Sequence, residues 1–194
     1  MNLLNKHQII AFQSFYVNMD NVSRLINLFK SEDTFSLANI DSSGKPEIIT
    51  ELEDIDDERI LPFFLEVLLN ELEYDLARIE TLQVLKLRNC SHQEEYDQIG
   101  QAIKQVLVNS TDQDIRNYAA MAIASYIETE GAFDVIEGIL LDEKEDINLR
   151  YNAFGVIEEI GLQDRSMEIL KKLIQNPEFN QPSLRLINEW QVNI

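Results

Sequence analysis

Residues 112–161 read DQDIRNYAAMAIASYIETEGAFDVIEGILLDEKEDINLRYNAFGVIEEIG, and this stretch decides the fold. It contains the same pattern twice: an acidic residue, a hydrophobe, an arginine and small apolar residues, with Arg116 and Arg150 standing 34 residues apart. A further apolar pattern at helical spacing lies between the two. Self-similarity with a period in the mid-thirties is typical of stacked helix pairs, because one pair cannot bury its apolar face alone.

Arginines extend this period in both directions along the chain. They open similar apolar patterns at Arg78, Arg116, Arg150 and Arg185, with intervals of 38, 34 and 35 residues. Because the spacing follows the repeat, we expect each guanidinium to pair with an aspartate of its own or a neighbouring repeat. Such pairs would form a ladder along the stack; an anion-binding row of arginines is the alternative.

The first 45 residues lie outside the repeat and are predicted to cap one end of the stack. Two helices are expected within residues 1–31, and the Ser, Asp, Gly and Pro residues of 31–46 predict a loop. Asp20 or Asn21 is placed to cap the second helix. The apolar side chains expected on one face of the first helix are Ile9, Ile10, Phe12, Phe15 and Tyr16; those of the second are Val22, Leu25, Ile26, Leu28 and Phe29.

Helix pairs are predicted from Pro46 onward. Proline suits a first helical position, and Pro62 falls within the first turns of a later helix, where the missing N–H is tolerated. Aspartates near predicted helix starts are Asp56, Asp114, Asp146 and Asp164, whereas Gly131 and Gly161 stand at turns. The predicted helices span residues 47–55, 56–72, 74–88, 93–108, 113–128, 131–141, 146–160, 164–175 and 182–191.

Net charge restricts the function classes. Sixteen basic and 35 acidic residues give −19, a field that repels nucleic-acid phosphates and anionic membranes and favours basic partners. A single cysteine, Cys90, suits a reducing compartment. No stretch approaches the roughly 20 apolar residues of a membrane span, and the N-terminus lacks the features of a signal peptide. We therefore expect a soluble cytoplasmic protein that binds neither nucleic acid nor membranes.

The repeats resemble HEAT repeats, especially the short type of the phycobilisome lyases. The matching positions are Asp112 or Asp114, Arg116, Ala119 and Ala122 in one repeat, and Asp146, Arg150, Ala153 and Val156 in the next. Residues 51–85 are similar but carry Thr81 and Leu82 where alanine is usual. The resemblance implies an all-α, right-handed α-solenoid of about four helix pairs. One domain, 1–194, would hold the cap (1–45) and the repeats (46–194).

No catalytic constellation emerges from the sequence. Cys90 and His92 lie near Glu94 and Glu95, but an i, i+2 step at a helix boundary does not bring side chains together on one face. Iron hydroxylases with HEAT-like repeats use paired His-Glu motifs, and this chain contains no His-Glu dipeptide. We expect no enzymatic activity, no metal and no cofactor.

Acidic runs are the remaining signal. Residues 51–80 hold eleven carboxylates against Arg59 and Arg78, and a second group follows in residues 142–146. Solubility and helix capping are the simpler explanation of such residues; a cationic partner is the other. The candidate binding residues are Asp54, Asp56, Asp57, Glu58, Asp142, Glu143, Glu145 and Asp146 in the acidic runs, with Glu66, Gln101, Gln105, Asp134, Glu137 and Glu168 on the second helices.

Small acidic HEAT-like proteins are similar to immunity proteins that neutralise bacterial toxins, many of them basic nucleases. The sequence thus favours a binding module that inhibits a basic toxin, acting as a monomer or weak dimer. A scaffold or oligomerisation protein and a chromophore lyase are the alternatives. Exposed apolar residues on the first hairpin would allow dimerisation, although covering the end of the stack is their simpler role; they are Phe12, Phe15, Tyr16 and Phe29.

Overall fold

A computed structural model of the chain describes residues 20–31 and 44–192. Every regular element within these ranges is a helix, which confirms the all-α class. The first predicted helix and the loop residues 32–43 lie outside the described residues. The helices are α1 (Asn21–Lys30), α2 (Lys45–Glu53), α3 (Ile60–Leu69), α4 (Asp75–Leu87), α5 (Gln93–Asn109), α6 (Gln113–Ile123), α7 (Ala132–Leu141), α8 (Ile147–Ile160), α9 (Asp164–Leu173) and α10 (Asn180–Val192).

The chain divides into two compact units, Met1–Thr81 and Leu82–Ile194. In the first unit, α1 packs against α2. Asp20 caps α1, because its Oδ1 accepts the N–H of Ser23 at 3.0 Å. The sequence prediction of a capped helix at this position is therefore confirmed.

Phe29 is buried in the first unit rather than exposed. Its ring meets that of Phe63 edge to face, with centroids 5.0 Å apart. The ammonium group of Lys45 lies 4.6 Å from the centroid of the Phe29 ring, a distance at which cation–π attraction operates. The expectation that Phe29 offers an exposed surface for dimerisation is wrong, since α3 and Lys45 cover it.

Alternate helices pack on one another in the second unit. Along the chain, α5 contacts α6 and α7 contacts α8, while α5 also contacts α7 and α6 also contacts α8. Helices two apart in sequence are thus neighbours in space, and their facing apolar rows form the core. Completely buried members of this core include Ile99, Ile103, Ile123, Ile136 and Leu149.

Helix boundaries follow the predicted ones within a few residues, with two informative differences. α3 begins at Ile60 instead of residue 56, because residues 55–59 form a loop before it. Pro62 still falls in its first turn. α6 ends at Ile123 and continues as a 3₁₀ turn over Ala124–Tyr126. Gly131 and Gly161 have φ of 77° and 76°, a left-handed region that favours glycine, as the turn positions required.

Three of the four repeat arginines bind the end of the preceding helix. Carbonyls in a last helical turn lack intrahelical donors, and a cation at this end also meets the negative end of the helix dipole. The pairs are Arg78 with the Leu68 carbonyl, Arg116 with Leu107 and Arg150 with Leu140, at Nε–oxygen distances of 3.2, 3.1 and 3.1 Å.

Two of the four repeat arginines, Arg116 and Arg185, have a carboxylate partner, and in both cases it is a glutamate. Arg116 forms a two-pronged pair with Glu145 at 2.9 and 2.6 Å, and Arg185 contacts Glu158 at 2.5 Å. Among the described residues none of the four arginines has an aspartate partner, so the predicted pairing was wrong. Asp112 and Asp146 instead accept backbone N–H groups at the starts of α6 and α8, which a short side chain reaches more easily than a neighbouring helix. Asp114 and Asp164 lie in the first turns of α6 and α9 and are not their N-caps.

The same side-chain turn recurs at the end of the second helix of each pair, that is, after α3, α5, α7 and α9. In every case a side-chain oxygen accepts the backbone N–H two residues later, which fixes the chain before the next helix. The acceptor and donor pairs are Asn70 with Leu72, Ser110 with Asp112, Asp142 with Lys144 and Asn176 with Glu178, at 3.1, 3.2, 2.9 and 3.0 Å. This recurrence supports the repeat register predicted from the arginines.

Candidate protein-binding surface

Residues 53–58, named here the acidic loop, join α2 to α3 in the first unit. The carboxylates of Glu53, Asp54, Asp56 and Glu58 form no ion pair with any described side chain, and Asp54, Asp56 and Glu58 are exposed. From Lys45 to residue 58 the chain carries seven carboxylates and one lysine, a net charge of −6. The acidic loop is therefore a dense and largely uncompensated negative surface.

Helix stabilisation does not explain these carboxylates. Glu53 is the last residue of α2 and Asp54 follows it, so both lie at the negative end of the helix dipole. Asp56 was predicted to cap the next helix, but α3 begins four residues later and has no side-chain cap. The prediction for Asp56 as a cap is therefore wrong, and its carboxylate remains exposed.

Arg59 neutralises the fifth carboxylate of the loop. Its Nη2 lies 2.6 Å from Asp57 and 2.8 Å from Asp20. Hydrogen bonds from Arg59 lower the pKa of Asp57 to about 2 and hold the pKa of Asp20 well below its ordinary value. This guanidinium therefore links the end of the loop to the start of α1, and its charge is balanced by Asp20 and Asp57.

Glu66 has a partner as well. Its carboxylate binds Lys30 at 2.8 Å across a groove of about 480 Å³ between α1 and α3. The apolar side chains of the groove are Ile26, Pro62 and Phe63, and the charged ones are Lys30, Glu58, Arg59 and Glu66. The groove thus carries both signs of charge, unlike the acidic loop at its edge.

Residues 142–146, named here the acidic turn, join α7 to α8 in the second unit. Two of its aspartates bind backbone N–H groups. Asp142 Oδ1 accepts from Lys144 at 2.9 Å, and Asp146 Oδ1 accepts from Asn148 and Leu149 at 2.9 and 3.1 Å. Asp146 is therefore the N-cap of α8, as the sequence predicted.

The two glutamates of the acidic turn bind side chains. Glu143 accepts from Asn176 at 3.2 Å. Glu145 holds Arg116, and hydrogen bonding from that guanidinium lowers the pKa of Glu145 below its ordinary value. Both partners of this pair are largely buried, with side chains 14% and 18% exposed. All four predicted residues of the turn thus have an internal structural role.

The second helices of this unit carry a mixed-charge face. Glu137 lies between Lys172 and Arg165, which lower its pKa. Asp134 contacts Arg165 at 2.5 Å. These two carboxylates, predicted to line an acidic binding surface, are compensated by cations of the next second helix, α9.

The other predicted residues of this face are amides and one glutamate. Gln101 donates to the carbonyl of Glu130 at 3.2 Å, beside Lys104, which donates to the same oxygen at 2.6 Å. Gln105 and Glu168 are exposed. The structure therefore does not gather the fourteen predicted residues into one negative surface; among them, Asp54, Asp56 and Glu58 of the acidic loop are the neighbouring carboxylates without a partner.

Cys90 is the one thiol of the chain and lies in a protected environment. Its Sγ is 4.0 Å from the Tyr126 hydroxyl, which itself donates to the Leu85 carbonyl. Burial raises the pKa of Cys90, which disfavours the nucleophilic thiolate. Within residues 20–31 and 44–192, no group of three or more His, Cys, Asp or Glu side chains is arranged to hold a metal ion.

Sequence reasoning missed two features of the surface. It did not separate the carboxylates that have a cationic partner from those that have none, because most of these cations lie about thirty residues away in the sequence. It also missed Leu72, whose side chain is 96% exposed in an ordered turn; a leucine among Asn, Glu and Glu was the available signal. None of the described helices is long and apolar enough to cross a bilayer.

Comparison of the chain with protein-family models, with curated proteins and with solved structures finds no match.

Proposed function

We propose that this chain is a non-enzymatic binding protein that neutralises a basic toxin domain by direct contact. The observation that carries this proposal is the acidic loop, whose Glu53, Asp54, Asp56 and Glu58 have no cationic partner among the described side chains. A basic protein would supply the missing countercharges. The acidic turn is less informative, because its carboxylates already bind the chain itself.

Electrostatics favours this function over a structural explanation of the loop. Like charges held close together at the negative end of a helix destabilise the free protein. Lysines and arginines of a partner relieve that repulsion and, with a chain of net charge −19, raise the rate of encounter. A toxin that cleaves nucleic acids presents such cations where it binds phosphates, so carboxylates of the loop would occupy the substrate's place.

The proposal extends to the architecture and location of the protein. Packing between alternate helices, three carbonyl-binding arginines and the recurring side-chain turn support an α-solenoid of HEAT-like pairs, for which the resemblance implies a right-handed superhelix. A free and protected Cys90 fits a cytoplasmic protein. The burial of Phe29 removes one of the residues on which the alternative of self-association depended.

A matched pair of variants tests the function. The loop variant carries Glu53→Gln, Asp54→Asn, Asp56→Asn and Glu58→Gln. The control variant removes the same number of exposed carboxylates from the second unit, through Asp114→Asn, Glu128→Gln, Glu130→Gln and Glu159→Gln. Both change the net charge from −19 to −15, so a difference between them reports the location of the charge.

Both variants would be assayed against purified basic nuclease domains, beginning with the product of the neighbouring gene. We expect the wild type and the control variant to inhibit at least one nuclease with 1:1 stoichiometry. The loop variant should bind it at least about tenfold more weakly, as lost charge complementarity predicts. Absence of inhibition across the panel, or equal affinity of the two variants, would contradict the proposal.

A further inference from the structure

The turn between α3 and α4 exposes three leucines, and residues 69–76 are named here the leucine turn. Leu69, Leu72 and Leu76 are 38%, 96% and 51% exposed. The backbone beneath them is fixed by Asn70, whose Oδ1 accepts the N–H of Leu72 and whose carbonyl accepts that of Glu73, both at 3.1 Å. An ordered turn therefore holds apolar side chains in water.

The equivalent turn of the second unit keeps a leucine, Leu141, at the position of Leu69, but shows that the fold does not require Leu72 and Leu76. There Asp142 takes the place of Asn70, with the same two hydrogen bonds at 2.9 and 3.2 Å. Lys144 stands where Leu72 does, and Asn148 stands where Leu76 does. The same backbone geometry thus tolerates polar side chains at both positions, which points to a role for the leucines outside the fold.

The surroundings of the leucine turn determine which partner it fits. Glu71 and Asp75 flank the leucines, are exposed, and form no ion pair with the described side chains. A second copy of the chain would bring these like charges together, which costs free energy. We infer that the leucine turn is a docking surface for a basic protein with an apolar pocket surrounded by lysines or arginines. This inference rests on the proposed function.

One partner can reach both this surface and the acidic loop. The two lie at opposite ends of α3, whose ten residues span about 15 Å. A standard interface buries about 800 Å² on each partner and combines an apolar centre with a polar rim. Leucines would supply the apolar anchor that carboxylates alone lack, and the carboxylates would supply charge complementarity.

Two synthetic peptides of equal positive charge separate these contributions. One is an amphipathic helix with a leucine face and a lysine face, and the other carries serines in place of the leucines. The test variant is Leu72→Gln with Leu76→Asn, and the control variant removes two exposed leucines elsewhere, through Leu87→Gln and Leu162→Gln. All four side chains are 47% exposed or more, so both variants should keep the fold, as circular dichroism will verify.

We expect the wild type and the control to bind the leucine peptide about tenfold more tightly than the serine peptide, from the burial of two apolar side chains. The test variant should lose that preference and bind the two peptides equally. A preference that persists in the test variant overturns the inference. Equal binding of both peptides to the wild type overturns it as well, and leaves the charge-based function standing.

Failure of both peptides to bind would contradict the proposed function together with this inference. Amide chemical shifts show where the peptide binds: the leucine peptide should change the shifts of residues 69–76 of the wild type. Perturbations confined to other residues would overturn the assignment. So would concentration-dependent self-association of the wild type that is lost in the test variant, because it would make a second copy the occupant of the leucine turn.

Discussion

The acidic loop and the acidic turn have similar compositions, but most carboxylates of the loop lack a partner within the chain, whereas those of the turn have one. Each holds four or five carboxylates within six residues, and the sequence alone treats them alike. In the acidic turn every carboxylate accepts a hydrogen bond from the chain itself, whereas in the acidic loop only Asp57 does so. Carboxylate density therefore does not show how many carboxylates lack a partner within the chain.

The largest loss of stability is expected when the arginine that compensates the acidic turn is removed. Arg116→Met would leave Glu145 largely buried without its cation and the Leu107 carbonyl without its donor. We expect the free energy of unfolding to fall by roughly 2–4 kcal/mol, measured by denaturant titration with the fluorescence of Trp190, the only tryptophan of the chain.

Arg185→Met is the control for this measurement. Arg185 is 61% exposed and pairs with Glu158, which is 38% exposed, so its loss should change stability by less than about 0.5 kcal/mol. Equal effects of the two substitutions would show that burial of the Arg116 pair adds nothing to the free energy of unfolding. The acidic turn would then not stabilise the fold through this pair.

A smaller effect is expected from single aspartates. Asp146→Ala removes two hydrogen bonds at the start of α8 and should destabilise the protein by about 1–2 kcal/mol. Asp54→Ala, in the acidic loop, should leave stability unchanged or raise it slightly, since its carboxylate lies at the negative end of α2. Thermal unfolding followed by circular dichroism measures both, and a loss of stability for Asp54→Ala similar to that for Asp146→Ala would remove the contrast.

The sequence sufficed for most of the described helices and for some of their caps, because these depend on neighbours within a few residues. Apolar spacing placed α4 to α10 closely, and Asp146 was correctly identified as a cap. Partners of the longer side chains depend on which helices meet, as the 29 residues between Arg116 and Glu145 show. Without coordinates, the carboxylates that pair within the chain, such as Glu137 and Glu145, could not be distinguished from those that have no partner.

Acid should weaken the acidic turn through the pair of Arg116 and Glu145. The Arg116 guanidinium lowers the pKa of Glu145 from its ordinary value of 4.5. The stability that this pair contributes is therefore fully present above pH 4.5 and is lost as the pH falls through the folded-state value. We expect the wild type to lose stability over that interval and Glu145→Gln, already weakened at neutral pH, to show a flatter profile in Trp190-monitored denaturation. Parallel profiles would mean that the pair is not formed in solution.

The smallest expected effect concerns the acidic loop itself. Its uncompensated carboxylates repel one another, so the loop variant should be more stable than the wild type by up to about 0.5 kcal/mol at low ionic strength. Screening shortens the range of this repulsion from about 30 Å at 0.01 M salt to about 3 Å at 1 M, and the gain should vanish there. The control variant, whose substitutions are scattered, should gain less. A loop variant that is less stable at every salt concentration would mean that these carboxylates support the fold, and the distinction between the two acidic segments would no longer hold.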